Sequence, residues 1–197
     1  VPHMPPGPNT TFLKLHISPD LRQAASERAK NLPIMRGSHR GLDANMIGCL
    51  GEVVFEKVLE DSKIGFEPLY TTRHDVRIET ASRGLRTLEI KTKDRTVPPK
   101  PNYEATLPAY NHEHQVADYY GFVSLQRSRT DTSGIERFKT AWIVGVANQS
   151  IFNKHKKLWK AGQKDPTNGT VFWTDVWNLY IHQLAPISYA ISQWTEP

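Results

Sequence analysis

The stretch DVRIETASRGLRTLEIKTK, Asp75 to Lys93, decides how the chain is read, because charged and apolar residues alternate at a strand period on both sides of a turn. Asp75 to Ile78 and Arg86 to Lys93 are the predicted strands, with the turn-like Ser82-Arg83-Gly84 between them. Successive side chains on a strand point to opposite faces. Asp75 and Arg77 therefore share one face while Val76 and Ile78 take the other, and Glu89, Lys91 and Lys93 share a face opposite Leu88 and Ile90. The result is a hairpin with charge on one side and apolar side chains on the other.

Upstream, the segment from Leu42 to Glu60 carries Ile47, Leu50, Val54 and Val58 at steps of three and four, the stripe of an amphipathic helix. At ~100° per residue, Glu52 falls about 20° from Leu59 and about 60° from Phe55. Its carboxylate sits at the margin of the buried arc, where it can point into a site. A shorter helix from Pro19-Asp20 to Lys30, with Asp20 as candidate cap, is expected to brace the periphery. Gly65 to Tyr70, Tyr119 to Leu125 and Thr140 to Ala147 read as strands, the last two joined by the polar loop Arg127 to Gly134. Between them lie a proline-rich connector, Val97 to Pro101, and a loop with a short helix from Tyr110 to Asp118. Val171 to Leu184, rich in aromatic and β-branched residues, predicts one or two further strands. The order of helix, strands, helix and strands gives an α/β (α+β) fold with a mixed central sheet flanked by helices.

At 197 residues the chain is expected to form a single domain over 1–197, large enough to bury about 70% of its unfolded surface without disulfide or structural metal. Within it, 42–125 is the expected catalytic core and 140–197 a region of C-terminal strands and a basic segment. The first four residues, Val1 to Met4, read as a tag remnant. The single cysteine, Cys49, can form no internal disulfide, and no thiolate cluster is available for zinc or iron–sulfur. With no apolar run of membrane-spanning length and no signal-peptide core, the expectation is a cytoplasmic protein that touches no membrane. The net charge of +5 favours a polyanionic partner. Lys154, Lys156, Lys157, Lys160 and Lys164 crowd one short window around Trp159 without an intervening acid, which reads either as a solvated helix face or as a backbone-binding patch.

Chemistry concentrates at Glu52 on the helix, Asp75 at the start of one strand, and Glu89-Ile90-Lys91 on the next. A lone Glu-x-Lys is ordinarily a surface ion pair of little worth. The ensemble differs: Gly51-Glu52, then His74-Asp75-Val76, then Glu89-x-Lys91, then Asp118 to Val123. In this arrangement the chain resembles the PD-(D/E)xK nuclease superfamily, with its restriction-endonuclease-like core, over about Leu42 to Leu125. His74 stands where the motif's name has proline. The resemblance implies that Glu52, Asp75, Glu89 and Lys91 are catalytic, that the main-chain carbonyl of Ile90 joins the metal ligands, and that Glu52 binds a second metal or holds its water. It also implies DNA as substrate ahead of RNA, a homodimer as a common state, and a phage or mobile-element origin, which would put the protein in the host cytoplasm.

The residue types suit that chemistry on their own terms. Phosphodiester hydrolysis needs an activated water, neutralised phosphate charge and a stabilised leaving oxygen, which a hard divalent cation supplies when held by oxygen ligands. Asp75 and Glu89 offer those oxygens, and carboxylates without thiolates favour Mg²⁺, with Mn²⁺ able to substitute. Lys91 can lower the water's pKa or stabilise developing charge; its bland role is to neutralise the acids. Lys93, Gln115, Lys154, Lys156, Lys157 and Lys160 are the candidate nucleic-acid contacts. His112 and His114, two residues apart, make a poor metal pair, and the absence of GxxxxGK[ST] argues against an NTP-driven motor. The expected function is a metal-dependent nuclease, an endonuclease first of all. The competing readings are a non-catalytic nucleic-acid-binding or assembly protein that keeps the fold, and an interaction module whose hairpin ion pairs are structural.

Overall fold

In a computed structural model the described residues are 7–33, 41–70, 74–109 and 116–197. The apolar stripe read from the sequence forms α2, Leu42–Asp61, whose buried side chains include Ile47, Leu50, Val54, Val58 and Leu59. It closes at Ser62, with Lys63 in the left-handed region (φ 60°) and Ile64 N–H returning to the Leu59 carbonyl. Helix α1, Pro19–Lys30, packs on α2 and buries Ala25 and Ala29. Its cap is Ser18, whose hydroxyl accepts from Leu21 N–H at 3.3 Å, and not Asp20, which lies inside the first turn.

The hairpin forms as β3, Val76–Thr80, and β4, Gly84–Arg95, antiparallel with Val76 opposite Leu88. Gly84, at φ 66°, turns the chain where a side chain would be strained. Around this pair a six-stranded mixed sheet runs in the order β1-β7-β6-β4-β3-β2, where β1 is Leu13–His16, β2 Phe66–Pro68, β6 Tyr119–Gln126 and β7 Thr140–Asn148. Strand β6 lies parallel to β4, setting Glu89 beside Tyr120 and Lys91 beside Phe122; its other neighbour, β7, is antiparallel. Nearly every residue of β6 is buried. A strand covered on both faces needs the unbroken apolar run that Tyr119 to Leu125 supplies.

Two cores account for that. On one face, α1, α2 and a C-terminal helix α4, Ile187–Thr195, cover Val76, Ile78, Leu88, Ile90 and Val123. On the other, a second antiparallel sheet of β5 (Glu104–Pro108), β9 (Val176–Tyr180) and β8 (Lys157–Trp159), together with α3 (Gln149–His155), packs on Tyr120, Phe122 and Val144. Strands β1, β5 and β8 and helices α3 and α4 are additions to the sequence reading. The expected helix from Tyr110 to Asp118 falls partly at 110–115, outside the described residues, and 116–118 are not helical. The lysine window is not one helix face, since it ends α3, crosses β8 and enters a turn.

Glycines set the distance between α2 and the sheet. A Cβ on Gly51 would lie 1.8 Å from Thr92 Oγ1 on β4, and one on Gly121 of β6 would lie 2.6 Å from the Phe55 ring. Gly51→Ala is therefore expected to push α2 away from β4 and cost ~1–3 kcal/mol, read as an earlier urea midpoint with an unchanged slope; a wild-type midpoint would contradict this account of the contact.

Candidate active site

Gly51 presses on β4, so the next residue, Glu52, is delivered to the strand that carries Glu89 and Lys91. Asp75 lies one residue before the Val76–Leu88 pair, which sets it across from Glu89. Its carboxylate accepts a hydrogen bond from the Ile90 N–H at 2.6 Å. Glu89 is 5% exposed, and Lys91 Nζ, on the same strand face, donates to its carboxylate. Glu52, Asp75, Glu89 and Lys91 are thus gathered at one place, as the strand period and helix angle anticipated.

Electrostatics ties the group together. Burial, then the negative charge of Asp75, pushes Glu52 up to about 7. Burial, then Glu89, pushes Asp75 up to about 7. Glu89 is also raised, by burial, with Lys91 opposing and Glu52 adding to the rise. Such mutual elevation is what desolvated neighbouring carboxylates produce, and clustered perturbed acids are a mark of functional sites.

A fifth participant, Arg28 at the end of α1, escaped the sequence reading. Its Nη1 lies 3.1 Å from Glu52, and its two terminal nitrogens grip Glu56 at 2.8 and 2.9 Å, with the guanidinium 5.6 Å from the centre of the Tyr70 ring. Glu52 and Glu56 are four apart on α2, so two acids on one sheltered helix face called for a cation. That spacing was the available signal, although nothing in it singled out Arg28.

The donor chemistry suits a hard divalent cation: Glu52, Asp75 and Glu89 bring carboxylate oxygens, while the buried Cys49 thiol is pushed up to about 12 by burial, with Glu52 adding to the shift. As the side chains stand, each carboxylate has an internal partner, and no three His, Cys, Asp or Glu side chains among the described residues are grouped to hold a metal ion. A cation held here would take the place of Lys91 at Glu89 and of Arg28 at Glu52.

The proposed nucleic-acid contacts divide. Lys93 continues the Glu89–Lys91 face and is lowered to about 8 by burial and by Arg95. Arg95, next on that face, stacks on Tyr103 and donates to Ser124 Oγ and the Glu104 carbonyl. Lys154 is exposed on α3, Lys156 sits over the rings of Phe152 and Trp177, Lys157 sits 4.0 Å from the centre of the Trp159 ring, and Lys160 pairs with Asp175. Gln115, with His112 and His114, lies outside the described residues. Of the tryptophans, Trp194 is core and Trp173 is 68% exposed. No helix among the described residues is long and apolar enough to cross a membrane.

Compared with known proteins, the chain matches no family model and no curated sequence. Its chemistry is read from the site alone.

The elevated carboxylates fix a pH dependence. Glu52 and Asp75 bind protons more tightly folded than unfolded, so stability is greatest below the ordinary values of 4.5 and 3.8 and falls as pH rises towards about 7. In EDTA the melting temperature should decline from pH 4.5 to 7.5, and Asp75→Asn should melt above wild type at pH 8 and lose most of the advantage at pH 4.5. Parallel curves for the two proteins would contradict the desolvation account.

Proposed function

We propose that the protein is a metal-dependent nuclease with a restriction-endonuclease-like core, hydrolysing phosphodiester bonds of DNA within the strand. The observation that carries this reading is the meeting of three mutually elevated carboxylates, Glu52, Asp75 and Glu89, with the Lys91 ammonium at the contact of α2 with the β3–β4 hairpin. Strand order supports it: β2, β3 and β4 form an antiparallel meander, β6 returns parallel to β4, and the helix bearing Glu52 precedes them.

When bound, Mg²⁺ or Mn²⁺ supplies activation of water and neutralisation of phosphate charge. Asp75 and Glu89 are the residues to hold it, joined by Glu52 and the Ile90 carbonyl. The protein's own groups do the rest. Asp75 is fixed by the Ile90 N–H and so keeps its direction as its neighbours move. Lys91, held beside Glu89 on the same strand face, would set its ammonium near the scissile phosphate, where a donor in a partly dry site stabilises charge that develops in the transition state. Arg28 keeps its two-pronged grip on Glu56 and so holds α1 to the site. The net charge of +5 suits a polyanionic substrate.

The test is cleavage of closed circular and linear DNA in Mg²⁺, Mn²⁺ or EDTA, alongside Glu89→Ala and Lys91→Ala proteins shown to be folded. Circles should open only with a cation, and each substitution should slow this at least ~100-fold. Salt-sensitive DNA binding without cleavage under any metal would move the conclusion to a non-catalytic binding protein on the same fold.

A further inference from the structure

Where β4 and β6 begin, a cleft of about 200 Å³ opens between the β3–β4 turn and the start of α3. Arg83 and Arg86 line it from the hairpin, Asp118 from the entry to β6, and Asn148, Gln149 and Ser150 from the β7–α3 junction. That space is below the ~300–1,000 Å³ of sites enclosing a whole small molecule. It takes one anionic group of a ligand whose remainder stays outside.

The neutral and acidic side chains of the cleft are already engaged. Asp118 Oδ2 accepts from the Thr87 N–H at 2.8 Å and from the Thr87 hydroxyl at 3.0 Å. Asn148 Oδ1 accepts from the Ile151 N–H at 2.8 Å, and Gln149 Nε2 donates to the Ala117 carbonyl at 2.5 Å and to Tyr120 Oη at 3.4 Å. The two guanidinium groups differ. Arg86 donates to the Leu85 carbonyl at 3.0 Å, and among the described residues neither Arg83 nor Arg86 is paired with a carboxylate. Arg28, Arg77, Arg127 and Arg137, by contrast, each grip an acid. Two unneutralised guanidinium groups beside one cleft present planar forks of donors, the geometry that suits phosphate oxygens.

Position ties the cleft to the candidate active site. Thr87 precedes Glu89 by two residues on the same face of β4, and Asp118 precedes Tyr120, the neighbour of Glu89, by two on β6. Thr87 is half-buried and Asp118 exposed, so this end of the two strands is accessible. Arg86 stands three residues, or ~10 Å of strand, before Glu89. On the other side of the cleft Lys154, exposed, follows Ser150 by four residues and shares its face of α3. The cations therefore run from the hairpin across the strand ends to α3, and the one acid of the cleft, Asp118, is turned to Thr87.

We propose that a DNA strand leaving the cleavage site crosses the starts of β4 and β6, with one backbone phosphate held by Arg83 and Arg86 in this cleft and the strand continuing past Ser150 towards Lys154. The inference rests on the reading of the substrate as nucleic acid. A grip on the backbone fixes the register of the strand and carries no base preference.

The probe is a fluorescein-labelled blunt DNA duplex, titrated in EDTA over a series of salt concentrations so that nothing is cut. Arg83→Gln and Arg86→Gln should each weaken binding at least about threefold and flatten the slope of log K against log salt by about 0.9, the share of one phosphate contact. Ser150→Glu places an acid in the first turn of α3, where the fold tolerates one, and should weaken binding at least about tenfold while melting no lower than wild type. Arg129→Gln, beyond the opposite end of β6, loses the same charge and should bind within about twofold of wild type. An equal loss in Arg129→Gln, wild-type affinity in the three cleft variants, or no duplex binding by wild type would overturn the proposal. Inorganic phosphate separates a strand from a free anion: a wild-type melting temperature raised by phosphate, with duplex affinity indifferent to the substitutions, would assign the cleft to a small anion and overturn it as well. Plasmid cleavage in Mg²⁺ keeps the two readings apart. Cleavage with arginine-insensitive binding overturns the cleft alone, whereas arginine-sensitive binding without cleavage overturns the nuclease and leaves the cleft standing.

Discussion

Burial of Glu52, Asp75 and Glu89 within mutual electrostatic reach, where α2 meets the β3–β4 hairpin, is the constraint around which the other elements are arranged. Several neighbours serve to make such burial tolerable. Lys91 faces Glu89, Arg28 is drawn from α1 to Glu52 and Glu56, and the Ile90 N–H is directed at Asp75. The close approach itself depends on Gly51, because any side chain there would collide with Thr92 and lift the helix that carries Glu52. Residual strain remains as raised carboxyl pKa values, which a folded protein otherwise avoids by pairing or exposing its acids.

The two cores divide the labour. The helical side fixes the backs of β3 and β4 through Val76, Ile78, Leu88 and Ile90, so the charged side chains on the alternate positions have settled directions. The small sheet covers the opposite face of β6 and β7 and brings Glu104 to the end of the cation row on β4. A rigid two-sided clamp on the central strands is the means by which a loop-poor site can be held in register.

How much was legible in the sequence follows from the range of each signal. The alternation in Asp75–Ile78 and Arg86–Lys93 and the stripe of Ile47, Leu50, Val54 and Val58 are local and periodic, and they brought Glu52, Asp75, Glu89 and Lys91 to one place as expected. Strand β1 and strand β5 are only four and five residues long, and each exists because a distant partner, β7 or β9, pairs with it. Helix α4 begins after Pro186 without a side-chain cap, so its start carried no punctuation. Arg28 reaches acids 24 and 28 residues away, a contact made by packing of α1 on α2 and written in no motif. Asp20 failed as a cap because Ser18, two residues earlier, already met the first turn.

The central claim is that the buried carboxylates hold a divalent cation, and Mn²⁺ binding near neutral pH tests it without reference to any activity. Loss of the free-ion paramagnetic signal on titration, together with proton release, is the predicted result, since Glu52 and Asp75, held up to about 7, must lose protons to become ligands. Glu89→Gln should abolish both. Mn²⁺ left free at millimolar concentration, or bound equally by wild type and Glu89→Gln, would contradict the account.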